Sequence, residues 1–288
     1  MFADYHLHCE FSDDSMEPLE NQVERAISLG MDEMCFTDHV DYGIKKDWDD
    51  PAGVEYRITF EHGRRQRQPL ANVDYPAYFS KIDKMKEIYG DKINIKKGLE
   101  FGIQSHTVPQ YQDLYKRYEA ELDFVLFSMH QVRDLEFWTQ DFQKGRSQKE
   151  YNDEYYKEIY ETMKLFKDYS VLAHLDLLAR YDPNGSYPFE KEKDIIAEIL
   201  RLAINDGKGI EINTSSWKYG LSDTQPSRAI LHLYKDLGGE IITIGSDAHT
   251  TKQLGGHFAD AVAILRDEIG MKAVCTYEHM KPVFHDLG

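Results

Sequence analysis

The sequence predicts one α/β protein, a parallel barrel of about seven strand–helix units spread over all 288 residues. Three observations predict it. Short apolar runs of strand length alternate with longer amphipathic stretches, and strands alternating with helices pair in parallel through crossovers. No internal repeat, low-complexity tract or Gly/Ser/Pro linker marks a boundary. Histidines and carboxylates recur at the ends of the apolar runs. Length alone allows two domains at about 150 residues each, yet α/β barrels use this length for one. An open doubly wound sheet is the alternative architecture.

Strands are expected at Phe2–His8, Glu33–Thr37, Ile93–Glu100, Phe124–Met129, Val171–Leu175, Gly209–Asn213 and Ile241–Gly245. Between them, helices are expected at Leu19–Leu29, Tyr75–Tyr89, Pro109–Glu121, Glu150–Lys167, Glu190–Asn205 and Pro226–Leu237. A last helix is expected at about Phe258–Ile269. These helices rest on apolar spacings of three and four. Ile195, Ile199, Leu202 and Ala203 share one face, opposite Lys191, Glu192, Glu198 and Arg201. Gly207, Gly238 and Gly270 each follow a helical stretch, where a left-handed residue closes the last turn. Residues 44–74 break the rhythm, with Trp48, Asp49, Asp50 and Pro51 followed by HGRRQRQP. This irregular insertion is too long for a routine βα loop; a lid or binding segment is one reading, a solvated insertion the other.

With 34 Lys+Arg against 51 Asp+Glu the formal net charge is −17, which argues against nonspecific nucleic-acid binding and against an anionic membrane surface. The apolar runs fall short of the ~18–20 residues needed to span a bilayer. The N-terminus MFADYHLHCEF has neither a basic start nor an apolar signal core, so a cytoplasmic location is expected. Cys9, Cys35 and Cys275 read as reduced thiols, not as a disulfide framework. Nothing in the sequence sets an oligomeric state.

The chemistry lies at the strand ends. His6 and His8 close the first strand in HLH, His39 follows the second in TDH, and Glu100 closes the third in GLEFG. His130 follows the fourth in SMHQ, His174 lies in AHLD at the fifth, and Asp247 and His249 follow the seventh in GSDAH. In a parallel barrel these carboxyl ends converge on one face, where active sites form. Alternation points the two histidines of HLH the same way and turns Cys9 to the other face, as a buried thiol. Each motif alone is weak; their repetition over six strands predicts a metal site. Imidazole and carboxylate without thiolate favour Zn, Mn, Fe or Co. The ligands are too many for one ion, so two or three divalent ions with a bridging carboxylate are expected.

Together HLHCEFSDDS, TDH, GLE, SMH, AHLD and GSDAH resemble, in order and spacing, the polymerase-and-histidinol-phosphatase (PHP) superfamily over nearly the whole chain. Within it, HLHCEFSDDS and AHLDLLARY resemble the stand-alone phosphatases of histidine biosynthesis. The resemblance implies a distorted (β/α)7 barrel and a metal-dependent phosphomonoesterase acting on histidinol phosphate. It implies one ion on His6, His8, Glu100 and Asp247, and a second sharing Glu100 with His130 and His174. A third falls to Asp14, His39 and His249. Many relatives carry a histidine where this chain has FSDDS; spacing favours Asp14 over Asp13.

Hydroxide held between the first two metals is the expected nucleophile on phosphorus, with Asp247 accepting a proton and Arg180 clamping the phosphate. Arg64, Arg65 and Arg67 either close over the phosphate or form a solvated cluster. Glu10, Asp41, Tyr42, Trp48 and Trp217 sit on loops able to reach the rest of a small substrate. A phosphodiesterase of the same family and a non-catalytic metal-binding domain are the competing readings.

Overall fold

The computed structural model describes residues 1–61 and 64–288. In chain order its first elements are β1 (Ala3–Leu7), α1 (Leu19–Leu29), β2 (Glu33–Phe36), β3 (His39–Val40), β4 (Glu55–Glu61) and β5 (Arg64–Leu70). There follow α2 (Tyr75–Tyr89), β6 (Asn94–Gly102), α3 (Val108–Tyr118), β7 (Phe124–Ser128), β8 (Gln131–Val132), β9 (Leu135–Glu136) and α4 (Gln148–Leu165). The remainder is β10 (Val171–Leu172), α5 (Phe189–Asn205), β11 (Gly209–Asn213), α6 (Arg228–Asp236), β12 (Ile242–Gly245), α7 (Phe258–Ala263), β13 (Ala273–Glu278) and β14 (Lys281–Asp286).

Seven parallel strands pair in the order β1-β2-β6-β7-β10-β11-β12, with β3 continuing the β2 position alongside β6. The two ends of this sheet meet beyond β12. Leu7 bridges Ala248 in parallel, the Asp247 N–H donates to His6 O at 2.7 Å, and the His8 N–H donates to Ala248 O at 2.8 Å. Closure therefore occurs at the carboxyl rim, where HLH and GSDAH face each other. The architecture is a nearly closed α/β barrel of seven parallel strands.

β7 (FVLFS) and β11 (GIEIN) are buried at every position, so their sequences are mostly apolar and their polar residues, Ser128, Glu211 and Asn213, have to find partners inside the barrel. The helices cover the barrel with one apolar stripe each. In α1 this is Leu19, Val23 and Ala26, and Gly30 at φ 72° closes the helix by donating to Ala26 O and Ile27 O. Gly207, Gly238 and Gly270 are left-handed at φ 69°, 88° and 76°. The Ser147 hydroxyl and the Glu150 carboxylate form a reciprocal capping box at the start of α4. Among the described residues no helix is long and apolar enough to cross a membrane.

Three antiparallel hairpins add to the expected elements: β4–β5, β8–β9 and β13–β14. The first occupies much of the insertion, from the Glu55↔Leu70 pair to Glu61↔Arg64. His62 lies outside the described residues, as do the side chains of Arg64 and Arg65. Arg67 stacks over the Tyr56 ring at 3.6 Å. The last hairpin lies against the amino end of the barrel, where Tyr277 packs on Phe124 (4.9 Å between ring centroids) and Phe124 on Tyr5 (5.0 Å).

Candidate metal centre

Each strand end delivers one or two polar side chains to the carboxyl rim. His6 is in β1 and His8 one residue past it, so the period of two aims both inward. His39 in β3 pairs in register with Glu100 in β6. His130, His174, Asp247 and His249 follow β7, β10 and β12, and Asp14 comes from the loop between β1 and α1. His174 and Asp247 have φ of 32° and 53°, sparsely populated values for residues with a Cβ, and such strain gathers at functional sites.

The atoms meet in three groups, two of which share Glu100. His6 Nε2 and His8 Nε2 lie 3.3 and 3.6 Å from Glu100 Oε2, and 3.7 and 3.4 Å from Asp247 Oδ1. Tetrahedral ligands at zinc-like bond lengths sit ~3.3–3.6 Å apart, and these four separations lie close to that range. The other oxygen, Glu100 Oε1, is 3.1 Å from His130 Nε2 and 2.9 Å from His174 Nε2. Asp14 Oδ2 lies 3.5 Å from His39 Nε2 and 3.1 Å from His249 Nε2. Asp13 instead pairs with Lys45. The structure thus brings all nine expected ligand residues to one place, with Asp14 the better placed of the two acids.

The donor set fits divalent cations. His6 Nε2, His8 Nε2, His39 Nδ1 and Glu100 Oε2 are buried without a hydrogen-bond partner. His39 Nδ1 and Glu100 Oε2 are 2.8 Å apart but lack hydrogen-bond geometry. A buried polar atom left in this way costs about 1–3 kcal/mol, and a cation among them removes the penalty. Imidazole nitrogen and carboxylate oxygen, without thiolate, are donors for a borderline or hard ion. Cys9, fully buried, donates its thiol to Asp38 at 3.1 Å.

A surrounding layer fixes which imidazole nitrogen faces the centre. The Nδ1 atoms of His6, His8, His130 and His249 lie 2.6 Å from Glu211 Oε1, 3.2 Å from Ser12 Oγ, 2.7 Å from Asp41 Oδ1 and 3.0 Å from Asp247 O. Each contact directs Nε2 inward. Two glycines leave room for this layer. A Cβ at Gly245 would come within 2.2 Å of Glu211 Oε1 and 2.4 Å of His6 Cβ. At Gly102 it would come within 1.8 Å of Asp41 Oδ1.

Electrostatics follow from the packing. Burial lowers the His6 imidazole, but Glu211, Glu100 and Asp247 overcome it and hold its pKa well above the usual value. Against the same burial, Glu100 and Asp41 raise His130 to about 9. Burial also opposes ionisation of Glu100 and Asp247, yet the surrounding histidines, and Arg180 for Asp247, hold both carboxyls well below the ordinary range.

Arg180 sits behind Asp247. Its Nη1 donates to Asp247 Oδ2 at 2.8 Å and its Nη2 to Ser215 Oγ at 2.7 Å, its Nε donates to Gln225 Oε1, and Tyr219 stacks on the guanidinium at 4.7 Å. Above the centre lies a cavity of about 490 Å³. Lys45, Arg57, Gln68, Glu136, Trp138, Tyr181 and Tyr219 line it beside the candidate ligands. Asp41 also lines it, bonded to His130 and Lys45, whereas Glu10, Tyr42, Trp48 and Trp217 do not.

Sequence reasoning missed Glu211, Lys45 and the role of Asp41. Glu211 had a readable signal, an acid inside the apolar run GIEIN, since a fully buried carboxylate demands a partner.

A seven-stranded parallel barrel with clustered histidines and carboxylates at its carboxyl rim defines a metal-binding enzyme fold. The sequence matches the PHP domain family over residues 4–215, and the chain belongs to that family. It is 30% identical to the histidinol-phosphatase of Lactococcus lactis subsp. lactis, over 96% of this chain and 95% of that protein. It is 25% identical to a probable histidinol-phosphatase of Clostridium acetobutylicum, over 99% of this chain and 97% of that one. Among solved structures it is similar to the L. lactis histidinol phosphate phosphatase complexed with zinc, L-histidinol and phosphate. That match has a TM-score of 0.80 and 29% identity over 98% of both chains. The putative histidinol phosphatase of Listeria monocytogenes shares the fold, with a TM-score of 0.73 and 20% identity over 90% of this chain and 99% of that one.

Proposed function

We propose that this chain is a metal-dependent phosphomonoesterase that hydrolyses L-histidinol phosphate to L-histidinol and phosphate in the cytoplasm. The observation that carries the reading is the buried Glu100 carboxylate, whose two oxygens face two separate pairs of imidazoles. Similarity along the full length to a protein crystallised with zinc, L-histidinol and phosphate supports the substrate.

His6, His8, Glu100 and Asp247 would hold one ion, Glu100 with His130 and His174 a second, and Asp14, His39 and His249 a third. Divalent ions there supply an ionised water near neutral pH and neutralise phosphoryl oxygens. Arg180, with four of its five N–H donors directed at Asp247, Asn213, Ser215 and Gln225, orients the Asp247 carboxylate and keeps it ionised. Asp247 would take the proton this water gives up as it attacks phosphorus, and return it to the histidinol oxygen as the P–O bond to that oxygen breaks. Arg180 also lines the cavity, so the phosphate clamp expected of it stands beside this positioning role. Lys45, held between Asp13 and Asp41, keeps positive charge at the mouth of the cavity. The acid and aromatic lining, Glu136, Trp138, Tyr181 and Tyr219, suits the imidazole and amine of a small zwitterionic ester. A net charge of −17 disfavours polynucleotide.

The test combines metal analysis with kcat/KM for L-histidinol phosphate, a sugar phosphate, a nucleoside monophosphate and single-stranded DNA. Two or three ions per chain and at least a tenfold preference for histidinol phosphate are expected. A single ion, or a preference for DNA or another ester, overturns the reading.

A further inference from the structure

The Arg180 side chain is only 3% exposed, so its protein partners set how it meets Asp247. A guanidinium is rigid and planar, with five N–H donors in a fixed fork, and holding its Nε–H therefore fixes where both Nη atoms point. Gln225 Oε1 accepts from that Nε. Asn213 Oδ1 and Ser215 Oγ accept from Nη2 at 3.2 and 2.7 Å, and Asp247 Oδ2 accepts from Nη1 at 2.8 Å. Asn213 and Ser215 also donate to Asp247 Oδ2 themselves, at 3.5 and 3.2 Å. Of these three partners, Gln225 alone reaches Asp247 only through Arg180.

Gln225 is itself held on several sides and is 1% exposed. Its Nε2 donates to the Asp176 carbonyl at 3.2 Å, and its own carbonyl accepts from the Asn213 N–H, at the end of β11, at 2.6 Å. Two residues further on, the Ser227 N–H donates to Asp176 Oδ2 at 2.8 Å. One end of the amide is thus tied to the segment after β10 while the other presents its oxygen to Arg180. None of the strand-end motifs contains Gln225, and it lies beyond the matched residues 4–215.

We infer that Gln225 is a positioning residue, acting on Asp247 through Arg180; the inference rests on the metal-dependent phosphomonoesterase reading above. With Nε held, Nη1 keeps Asp247 Oδ2 and leaves Oδ1 facing His6 Nε2 and His8 Nε2, at 3.7 and 3.4 Å. Without that hold the fork is free to swing, and Asp247 loses the contact that distinguishes its two oxygens. Small displacements of such a carboxylate are costly, since a misplacement of about 1 Å lowers a rate by ~10²-fold.

The experiment is a double-mutant cycle on the zinc-loaded protein, with Gln225→Met and Arg180→Ala made singly and together. It is read by zinc affinity in a chelator competition and by kcat on p-nitrophenyl phosphate, a monoester with neither amine nor imidazole. Gln225→Met is expected to weaken zinc binding at least threefold and to lower kcat at least tenfold, the scale of effect seen for groups behind a metal ligand. In the Arg180→Ala background the same change should alter either readout less than twofold, because the residue it acts through is gone. Gln225→Asn, which draws the amide back by one methylene, goes through the same cycle and stands in should the methionine variant not fold. Wild-type values in the folded methionine variant, or in Gln225→Asn where that stands in, overturn the inference. Losses that multiply in the double variant also overturn it, because they mark a structural role independent of Arg180. A wild type that hydrolyses the p-nitrophenyl ester and ignores histidinol phosphate overturns the substrate reading alone, and zinc affinity decides the inference even without turnover.

Discussion

Glu211 contributes no atom to the candidate ligand groups, yet it touches two of their elements. Its Oε1 meets His6 Nδ1 at 2.6 Å while its Oε2 accepts from the His174 N–H and from Asn213 Nδ2, each at 3.2 Å. Replacing Glu211 with Gln keeps the shape and removes the charge that fixes the His6 tautomer. Metal affinity is expected to fall roughly 10–100-fold with folding intact, as read by a chelator titration. Gly245→Ala tests the same contact from the other side. The added methyl has to displace Glu211 or His6, so a loss of about 1–3 kcal/mol in unfolding free energy is expected together with lower metal content. At this scale the cluster of candidate ligands was legible because its residues recur in short motifs at strand ends. Glu211 could be read only as a buried acid and Asp41 only as a loop acid, because what they do depends on a neighbour more than eighty residues away in sequence, His6 for one and His130 for the other.

Among the elements, all seven barrel strands were readable, since apolar runs flanked by helical stretches carry their own signal. The hairpins β8–β9 and β13–β14 carried none. Their central residues are Arg133–Asp134 at φ 53° and 60°, and His279–Met280 at φ 47° and 64°. Both central residues are left-handed, as a type I′ turn requires, but neither pair is the Asn-Gly or Asp-Gly that announces one. The β4–β5 hairpin was masked by its charge. It reaches over the cavity: Arg57 Nη2 donates to both oxygens of Glu136, at 3.0 and 2.9 Å, and its guanidinium stacks on Trp138 at 4.8 Å. Gln68 reaches the Asp13 carbonyl. Arg57→Ala is expected to raise KM at least fivefold while changing kcat less than twofold. Stability should change by less than about 1 kcal/mol, because the ion pair is partly solvated. A kcat loss without a KM change would remove the hairpin from substrate binding.

For the whole molecule, the barrel closes through the same residues that form the centre, so metal occupancy and stability are linked. Asp247 and His8 supply both candidate ligands and the backbone bonds that join the first strand to the last. Without metal, neighbouring carboxylates hold the His6, His39, His130 and His249 imidazoles in their protonated form. Glu100 and Asp41 raise His130 to about 9, above the unfolded value near 6.5. A raised histidine contributes stability that is fully present below pH 6.5 and lost as pH rises through 9. The metal-bound form has the opposite dependence, since ligation needs deprotonated imidazole and proceeds more readily as pH rises. Metal uptake should therefore release protons, measurable as a calorimetric enthalpy that varies with the ionisation enthalpy of the buffer. Ligation also stabilises the folded state by about 2.7 kcal/mol when free metal is 100 times its Kd. The gap in Tm between metal-loaded and chelator-stripped protein should widen steadily from pH 6.5 to 9. A gap that is constant over that range, or uptake without proton release, would mean that the imidazoles around Glu100 are not the ligands.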